Sequence, residues 1–258
     1  MPHPNIHVPL LSVDSVRVRF GGLTALNGIS FDVTEGEILG LIGPNGAGKS
    51  VAINIISGFA RASSGSVTFR GRSLQGLTPA QRSRLGLART FQNLELFGSM
   101  TVWENVSCAI EAVQSHGLIP SGNRRERNDA VREILATLGL EKVTDRTVET
   151  LSYGTKKLVE LARVFVRRPS FVLLDEPVAG LNRNEKAEFV ELFSEMIEHY
   201  SLSGILVEHD MPTVRSLCSR LVVLDAGNQL AEGPVQETLR RPEVISAYLG
   251  PLAITSSF

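Results

Sequence analysis

Gly43-Pro44-Asn45-Gly46-Ala47-Gly48-Lys49-Ser50 is the stretch from which the rest of the chain can be read. It fits G-x-x-x-x-G-K-[ST], a spacing in which glycines turn backbone amides toward a phosphate, the lysine reaches the β- and γ-phosphates and the hydroxyl holds Mg²⁺. The pattern carries weight only between a strand and a helix. Both flanks comply. Glu37-Ile38-Leu39-Gly40-Leu41-Ile42 reads as a buried strand, and Ile53, Ile55 and Ile56 mark a following helix. The N-terminus of that helix adds a partial positive charge. Gly43, Pro44, Asn45, Gly46, Ala47, Gly48, Lys49, Ser50 and Val51 are therefore expected to bind nucleotide phosphates. The bland alternative, a glycine-rich turn with a solvated lysine, does not need the strand and helix that are there.

The bulk numbers exclude more than they assign. A chain of 258 residues suffices for one large domain or two small ones, and a hydrophobic content of 43% is ordinary for a globular protein. Its 26 basic and 27 acidic residues leave a formal charge of −1, so no global field points to nucleic acid or an anionic membrane surface. Cys108 and Cys218 form neither a metal-ligand spacing nor a disulfide framework, which fits a reducing compartment. No apolar run approaches the roughly 18–20 residues needed to span a bilayer. The N-terminus MPHPNIHVPLLS lacks the basic start and apolar core of a secretory signal. The chain is expected to be soluble by itself and to reach a membrane only through partners.

Along the chain, Val16, Val18 and Phe20 alternate with Arg17 and Arg19, the period of a half-buried strand, and Ile29, Phe31 and Val33 alternate likewise. Ser66 to Phe69 is a further strand. Thr78-Pro79 opens a helix, and Thr101 with Glu104 forms a capping box for another running toward Val113. Residues 116–123 read as a loop. Val131, Ile134, Leu135 and Leu138 lie on one face of a second helix, so residues 93–157 look like a helical insert. Leu158, Leu161, Ala162 and Phe165 mark a helix, Phe171 to Leu174 a buried parallel strand, and Phe189 to Ile197 an amphipathic helix. Gly204 to Val207 and Leu221 to Leu224 are strands, and residues 251–258 a tail.

Asp175-Glu176 ends the apolar strand at Phe171 to Leu174. Ligands of open parallel sheets gather at strand carboxyl ends. Asp175 there is expected to hold Mg²⁺ through oxygen, and Glu176 to orient or deprotonate an attacking water.

With these residues in place the chain resembles the ATPase subunit of an ABC transporter over about residues 13–250. Leu151-Ser152-Tyr153-Gly154-Thr155 resembles the signature segment of that family, with a helix starting near Thr155. Gln92, in Arg89-Thr90-Phe91-Gln92, falls where the family has a glutamine that senses the γ-phosphate and metal. Val178-Ala179-Gly180-Leu181-Asn182 takes the place of the D-loop. His209 matches the switch histidine, and Phe20 the aromatic that stacks on adenine. The resemblance implies an α/β fold: a P-loop NTPase core of mainly parallel sheet flanked by helices, an N-terminal antiparallel β part and a helical subdomain. Residues 13–92 and 158–250 would form the RecA-like nucleotide-binding core, and 93–157 the signature subdomain. It implies ATP and Mg²⁺ as ligands. Ser50, Gln92 and Asp175 would be on the metal, Lys49, Gln92, Glu176 and His209 around the reacting phosphate, and Ser152 and Gly154 completing the site of a second subunit.

Longer stretches narrow the resemblance to branched-chain amino-acid importer ATPases. They are Phe20-Gly21-Gly22-Leu23-Thr24-Ala25-Leu26, Gly86-Leu87-Ala88-Arg89-Thr90-Phe91-Gln92, Met100-Thr101-Val102-Trp103-Glu104-Asn105-Val106 and Ala247-Tyr248-Leu249-Gly250. Such importers carry branched-chain or other hydrophobic amino acids, urea or short amides. They set two ATPase chains, related or identical, beneath two transmembrane permease subunits at the cytoplasmic face of the bacterial inner membrane, with a separate solute-binding protein. Val51, Thr155-Lys156-Lys157 and Asn184 depart from the usual pattern without removing a catalytic group. Several of Phe91, Leu94, Leu96, Phe97 and Met100 are expected to line the groove that receives a cytoplasmic helix of the permease. The rival readings are a lipopolysaccharide-type exporter ATPase, a soluble ABC protein acting on DNA or ribosomes, and a P-loop kinase. A soluble ABC protein usually carries two cassettes or a long coiled coil, a kinase should lack the signature segment, and no basic patch with interleaved aromatics suggests nucleic acid.

Overall fold

The computed structural model describes residues 9–91, 94–114 and 123–249. Gln92, the expected loop up to residue 122 and the 251–258 tail lie outside the described residues. The chain begins with a hairpin, β1 (Leu11–Phe20) and β2 (Leu23–Val33), followed by β3 (Ile38–Ile42) and α1 (Lys49–Ser57). Then come β4 (Ser64–Phe69), β5 (Arg72–Ser73), α2 (Pro79–Arg84) and β6 (Leu87–Arg89). A helical stretch holds α3 (Val102–Gln114), α4 (Arg124–Thr137) and α5 (Tyr153–Phe165). Strand and helix next alternate through β7 (Phe171–Asp175), α6 (Arg183–Tyr200), β8 (Ser203–Val207), α7 (Met211–Leu217) and β9 (Arg220–Asp225). The described chain closes with β10 (Asn228–Pro234), α8 (Val235–Thr238) and α9 (Pro242–Leu249).

These strands form two sheets. One is antiparallel, in the order β2-β1-β4-β5; the other runs β10-β9-β3-β8-β7-β6 and is parallel except for its β10 edge. The α/β class with an N-terminal antiparallel part is thus as expected. Strands β3, β7 and β8 are buried at every position. Their alternate side chains feed two apolar clusters on opposite faces of the parallel sheet. Leu39, Leu41, Leu173 and Ile205 meet Ile53 and Ile56 of α1 together with Val16, Leu26 and Phe69 of the antiparallel sheet. Ile38, Ile42, Val172, Leu174 and Leu206 meet Val106, Val131, Leu161 and Phe193 of helices α3 to α6. Burial on both faces is why these strands read as unbroken apolar runs rather than alternating ones.

Local chemistry sets the helix starts. Thr78 and Gln81 form a capping box on α2 with Pro79 in its first turn. Glu104 N–H donates to Thr101 Oγ1 at 3.1 Å while Thr101 N–H donates to Glu104 Oε2 at 2.8 Å, the expected box on α3. Val131, Ile134, Leu135 and Leu138 are all buried. Helix α5 begins at Tyr153, before the expected Thr155, because Ser152 is its cap and accepts the Thr155 N–H at 3.2 Å.

One expectation fails. The burial expected of Val16, Val18 and Phe20 holds for the valines only: Phe20, paired with Leu23 at the end of the hairpin, is 58% exposed. The extra residue of the register shift between Val18 and Arg19 is Ala25 in β2, so the alternation of β1 itself is unbroken there, and the exposure of Phe20 goes with its place at the hairpin tip beside the exposed Leu23.

Candidate nucleotide site

Strands β3, β7 and β8 run parallel, with Asp175 paired to Val207, so residues 43–50, Asp175-Glu176 and Glu208-His209 all follow the same edge of the sheet. Segments distant in sequence thereby face one region.

The 43–50 loop owes its path to glycines. Gly43 has φ of 149°, and a Cβ there would sit 2.1 Å from the Leu224 carbonyl oxygen; Gly48, at φ 104°, would meet Leu26 Cδ2 at 2.7 Å. Gly48 also begins α1 without a side-chain cap, and no acidic residue occupies the first turn, which leaves that helix end electropositive. Lys49 is only 5% exposed. Its Nζ donates to the carbonyl oxygens of Gly43 at 2.7 Å and Pro44 at 3.0 Å. An ammonium has three donors, so one more acceptor can be served. Burial holds the Lys49 pKa below its usual value, while the charges of Glu176 and Asp175 act in the opposite direction. The fold has therefore brought both carboxylates within electrostatic reach of Lys49.

Asp175 is buried at the end of β7 and accepts from Arg89 Nη2 at 3.0 Å, while its own N–H donates to Thr90 Oγ1 at 3.2 Å. Arg89 Nη1 also donates to Asn54 Oδ1 at 2.6 Å and Ser57 Oγ at 3.1 Å, so one guanidinium ties α1 to β6 and β7. Glu176 has φ of 51°, a left-handed conformation that costs a non-glycine residue on the order of 1 kcal/mol. Its N–H donates to Val207 O at 2.9 Å, and its Oε1 lies 3.2 Å from His209 Nε2. The strained residue thus turns its carboxylate to the histidine carried by the next strand.

A divalent metal fits this donor set. No group of three or more His, Cys, Asp or Glu that could hold a metal occurs among the described residues. A buried carboxylate, Asp175, and an exposed hydroxyl residue, Ser50, offer hard oxygen instead. Mg²⁺ is commonly held in this way, by one or two protein oxygens with water and phosphate completing the shell.

Phe20, Ser152 and Gly154, the other expected residues that are described, lie elsewhere. Phe20 and Leu23 are exposed at the tip of the β1–β2 hairpin. Ser152 caps α5, and Tyr153 and Gly154 abut the segment after Glu176. A Cβ on Gly180, itself at φ 80°, would meet Tyr153 Cε1 at 2.9 Å, and one on Gly154 would meet Glu185 Oε1 at 2.9 Å.

A cavity of about 360 Å³ opens beside β6, lined in part by Phe59, Phe91, Arg82, Arg84, Arg89 and Arg167. Of the five apolar residues from which several groove-lining ones are expected, Phe91 lines this cavity and Leu94, Leu96, Phe97 and Met100 do not. Leu96 packs against the main core, and Phe97 lies 5.1 Å under the Arg163 guanidinium. Phe91 N–H donates to Glu160 Oε1 at 3.2 Å, anchoring the chain one residue before Gln92. Burial pushes the Glu160 pKa up, against the opposing charge of Lys157.

Comparison with known proteins decides the family. The pattern of the ABC transporter family matches residues 26–179. The chain belongs to the ABC transporter family. It is 40% identical over 250 residues to the high-affinity branched-chain amino acid transport ATP-binding protein LivG of Salmonella typhimurium, covering 94% of this chain and 98% of that protein. It is 36% identical, with the same coverage, to the ATP-binding protein BraF of Pseudomonas aeruginosa, which bears the same description. Among solved structures, an ATP-binding cassette of an ABC transporter in its ADP conformation superposes with a TM-score of 0.83 at 30% identity, covering 94% of this chain and 99% of that one. A nucleotide-free cassette gives 0.82 at 30% identity, covering 94% and 100%. The chain is accordingly an ATP-binding, ATP-hydrolysing cassette of this family.

Two residues of this cassette escaped the sequence reading. Arg89 had a signal, since a charge inside the apolar run Leu87-Ala88-Arg89 needs a buried partner. Glu208 had none, because its burial at 3% depends on how the loops close over it.

Proposed function

We propose that this cassette powers an importer of branched-chain or other hydrophobic amino acids, urea or short amides. The observation that carries the catalytic part is the Glu176–His209 contact at 3.2 Å, set beside a buried Lys49 at the carboxyl edge of the sheet. Branched-chain amino acids are the solute named for the relatives that match nearly end to end; the other solutes rest on the resemblance of the longer sequence stretches. Residues 13–92 and 158–250 serve as the nucleotide-binding part and residues 93–157 as the part that presents the signature segment.

In this reading the amides of residues 43–51 and Lys49 hold the phosphate chain, and Ser50, Asp175 and Gln92 serve the metal. Magnesium, when bound, neutralises charge on the phosphate oxygens. Glu176 orients the attacking water and takes its proton, and His209 contacts the γ-phosphate. Phosphoryl transfer asks for positioning and electrostatics more than covalent chemistry, which suits a site of fixed amides, one buried ammonium and one carboxylate pair. Ser152 and Gly154 serve a second subunit's ATP, so the working unit pairs this chain with a relative or with itself. The cavity beside Phe59 and Phe91 receives a helix of the permease. The chain then sits at the cytoplasmic face of the membrane without entering it; no described helix is long and apolar enough to cross one.

Phe20→Ala is expected to weaken ATP binding by on the order of tenfold, the scale of one lost base–aromatic stack, with kcat little changed. Titration with a fluorescent ATP analogue checks this, and an unaltered affinity places the adenine elsewhere. The transport reading is tested by purifying the tagged chain from detergent-solubilised membranes of its source. Two permease subunits and a second ATPase should accompany it, whereas recovery with ribosomes or nucleic acid overturns the transport role and leaves the ATPase standing.

A further inference from the structure

The geometry points to Glu208 as a positioning residue for hydrolysis: its carboxylate fastens the turn that carries His209 to the turn that follows Glu176. This rests on the roles proposed above for Glu176 and His209.

Glu208 is 3% exposed, and both its oxygens are occupied by backbone donors from two separate loops. Oε1 accepts the Val178 N–H at 3.0 Å. Oε2 accepts the N–H of His209 at 2.9 Å and of Asp210 at 3.2 Å. No ion pair of Glu208 occurs among the described residues. A buried carboxylate costs far more than a neutral group unless it is hydrogen-bonded, so this side chain suits its place only while all three amides face it. The converse also holds. Val178 lies two residues after Glu176, and His209 is next in sequence to Glu208. The contact between Glu176 Oε1 and His209 Nε2 is therefore framed by one side chain gripping the backbone behind both. The local cap on α7 is separate, since Asp210 supplies it by accepting from Thr213. Glu208 is thus not needed to start that helix, and its two-sided grip is left as its distinguishing feature.

Glutamine tests the grip with little change of shape. It keeps one acceptor oxygen and puts an NH₂ where the other acceptor was, so either Val178 or the His209 turn must face a donor. In the full chain, Glu208→Gln is expected to lower kcat by about 10–100-fold, the scale of a displaced catalytic group, with ATP affinity within about threefold of the wild type. The Val178 amide is expected to exchange its hydrogen faster. The decisive reading is non-additivity: added to His209→Ala, Glu208→Gln should cost no more than about twofold further, because what Glu208 sets is the Glu176–His209 contact, and that contact is already gone.

A double variant that loses the product of the two single effects overturns the inference, as does an unchanged kcat in Glu208→Gln. If Glu208→Gln lowers the melting temperature and ATP affinity together, Glu208→Thr decides. Threonine can still bond the His209–Asp210 turn locally but cannot reach Val178. A full kcat in Glu208→Thr refutes the bridge, and a reduced kcat with intact affinity supports it. Single Glu176→Gln and His209→Ala variants run alongside separate the two failures. If neither slows hydrolysis, the catalytic roles are wrong; if both do and Glu208→Gln does not, only the bridge is wrong.

Discussion

Replacing Glu176 with Gln leaves ATP binding intact and slows hydrolysis by about 10²–10⁴-fold, the scale of a lost general base. The substitution changes charge and basicity but keeps shape, so the left-handed backbone at φ 51° and the Val207 hydrogen bond stay in place. Glutamine can still hydrogen-bond His209 Nε2. What it cannot do is accept a proton from water as its bond to phosphorus forms. It also removes one of the two carboxylates whose charges act on Lys49, which favours rather than hinders the approach of a polyphosphate. Equilibrium binding of labelled ATP together with single-turnover phosphate release measures both halves. Turnover within a few-fold of wild type refutes the assignment and moves the base elsewhere in the site.

Lys49→Ala is expected to act at the earlier step, weakening ATP affinity on the order of 100-fold. A hydrogen bond to a charged group contributes about 1.5–3 kcal/mol, and here the loop loses its own internal bonds as well. Besides the phosphate contact proposed for it, Lys49 holds Gly43 O and Pro44 O, so alanine leaves both carbonyls without that donor and the loop without its tie. Titration calorimetry with an ATP analogue reads the change. A melting temperature near that of wild type, with affinity lost, places the effect in the loop. Retained affinity shows that the backbone amides suffice without the lysine.

The parts of the site most open to sequence reading are those governed by neighbours in the chain. The 43–50 spacing, the apolar strand into Asp175 and the Thr101–Glu104 cap are all local, and each is found where its residues indicated. Phe20 fits the period of its strand and is nonetheless exposed, because the pattern does not say where the strand runs past the core into the hairpin tip it shares with Leu23. Arg89 and Glu208 are harder still. Arg89 meets Asp175 across 86 positions of sequence, and Glu208 meets Val178 across 30. Neither separation leaves a periodic trace. Leu96 shows the opposite hazard: its place in the chain near Gln92 suggests a docking surface, and the fold packs it, half-buried, against the core. The short β6 and the edge strand β10 went unread for a simpler reason, since three residues are too few to show a period and β10 is mostly half-exposed.

One apolar cluster runs without a break from Val106 and Val131 in the helical stretch to Val172 and Leu174 in the parallel sheet. The helical stretch is therefore a division of labour rather than an independent folding unit. Cut out, it would bare the faces of α3, α4 and α5 that now lie against the rest of the cluster, and the remaining sheet would lose a wall. Any tilt of those helices against the sheet must slide or re-seat close-packed side chains, which favours a few discrete poses over a loose swing. A joint of that kind transmits force in both directions, as a rigid lever does and a flexible tether cannot.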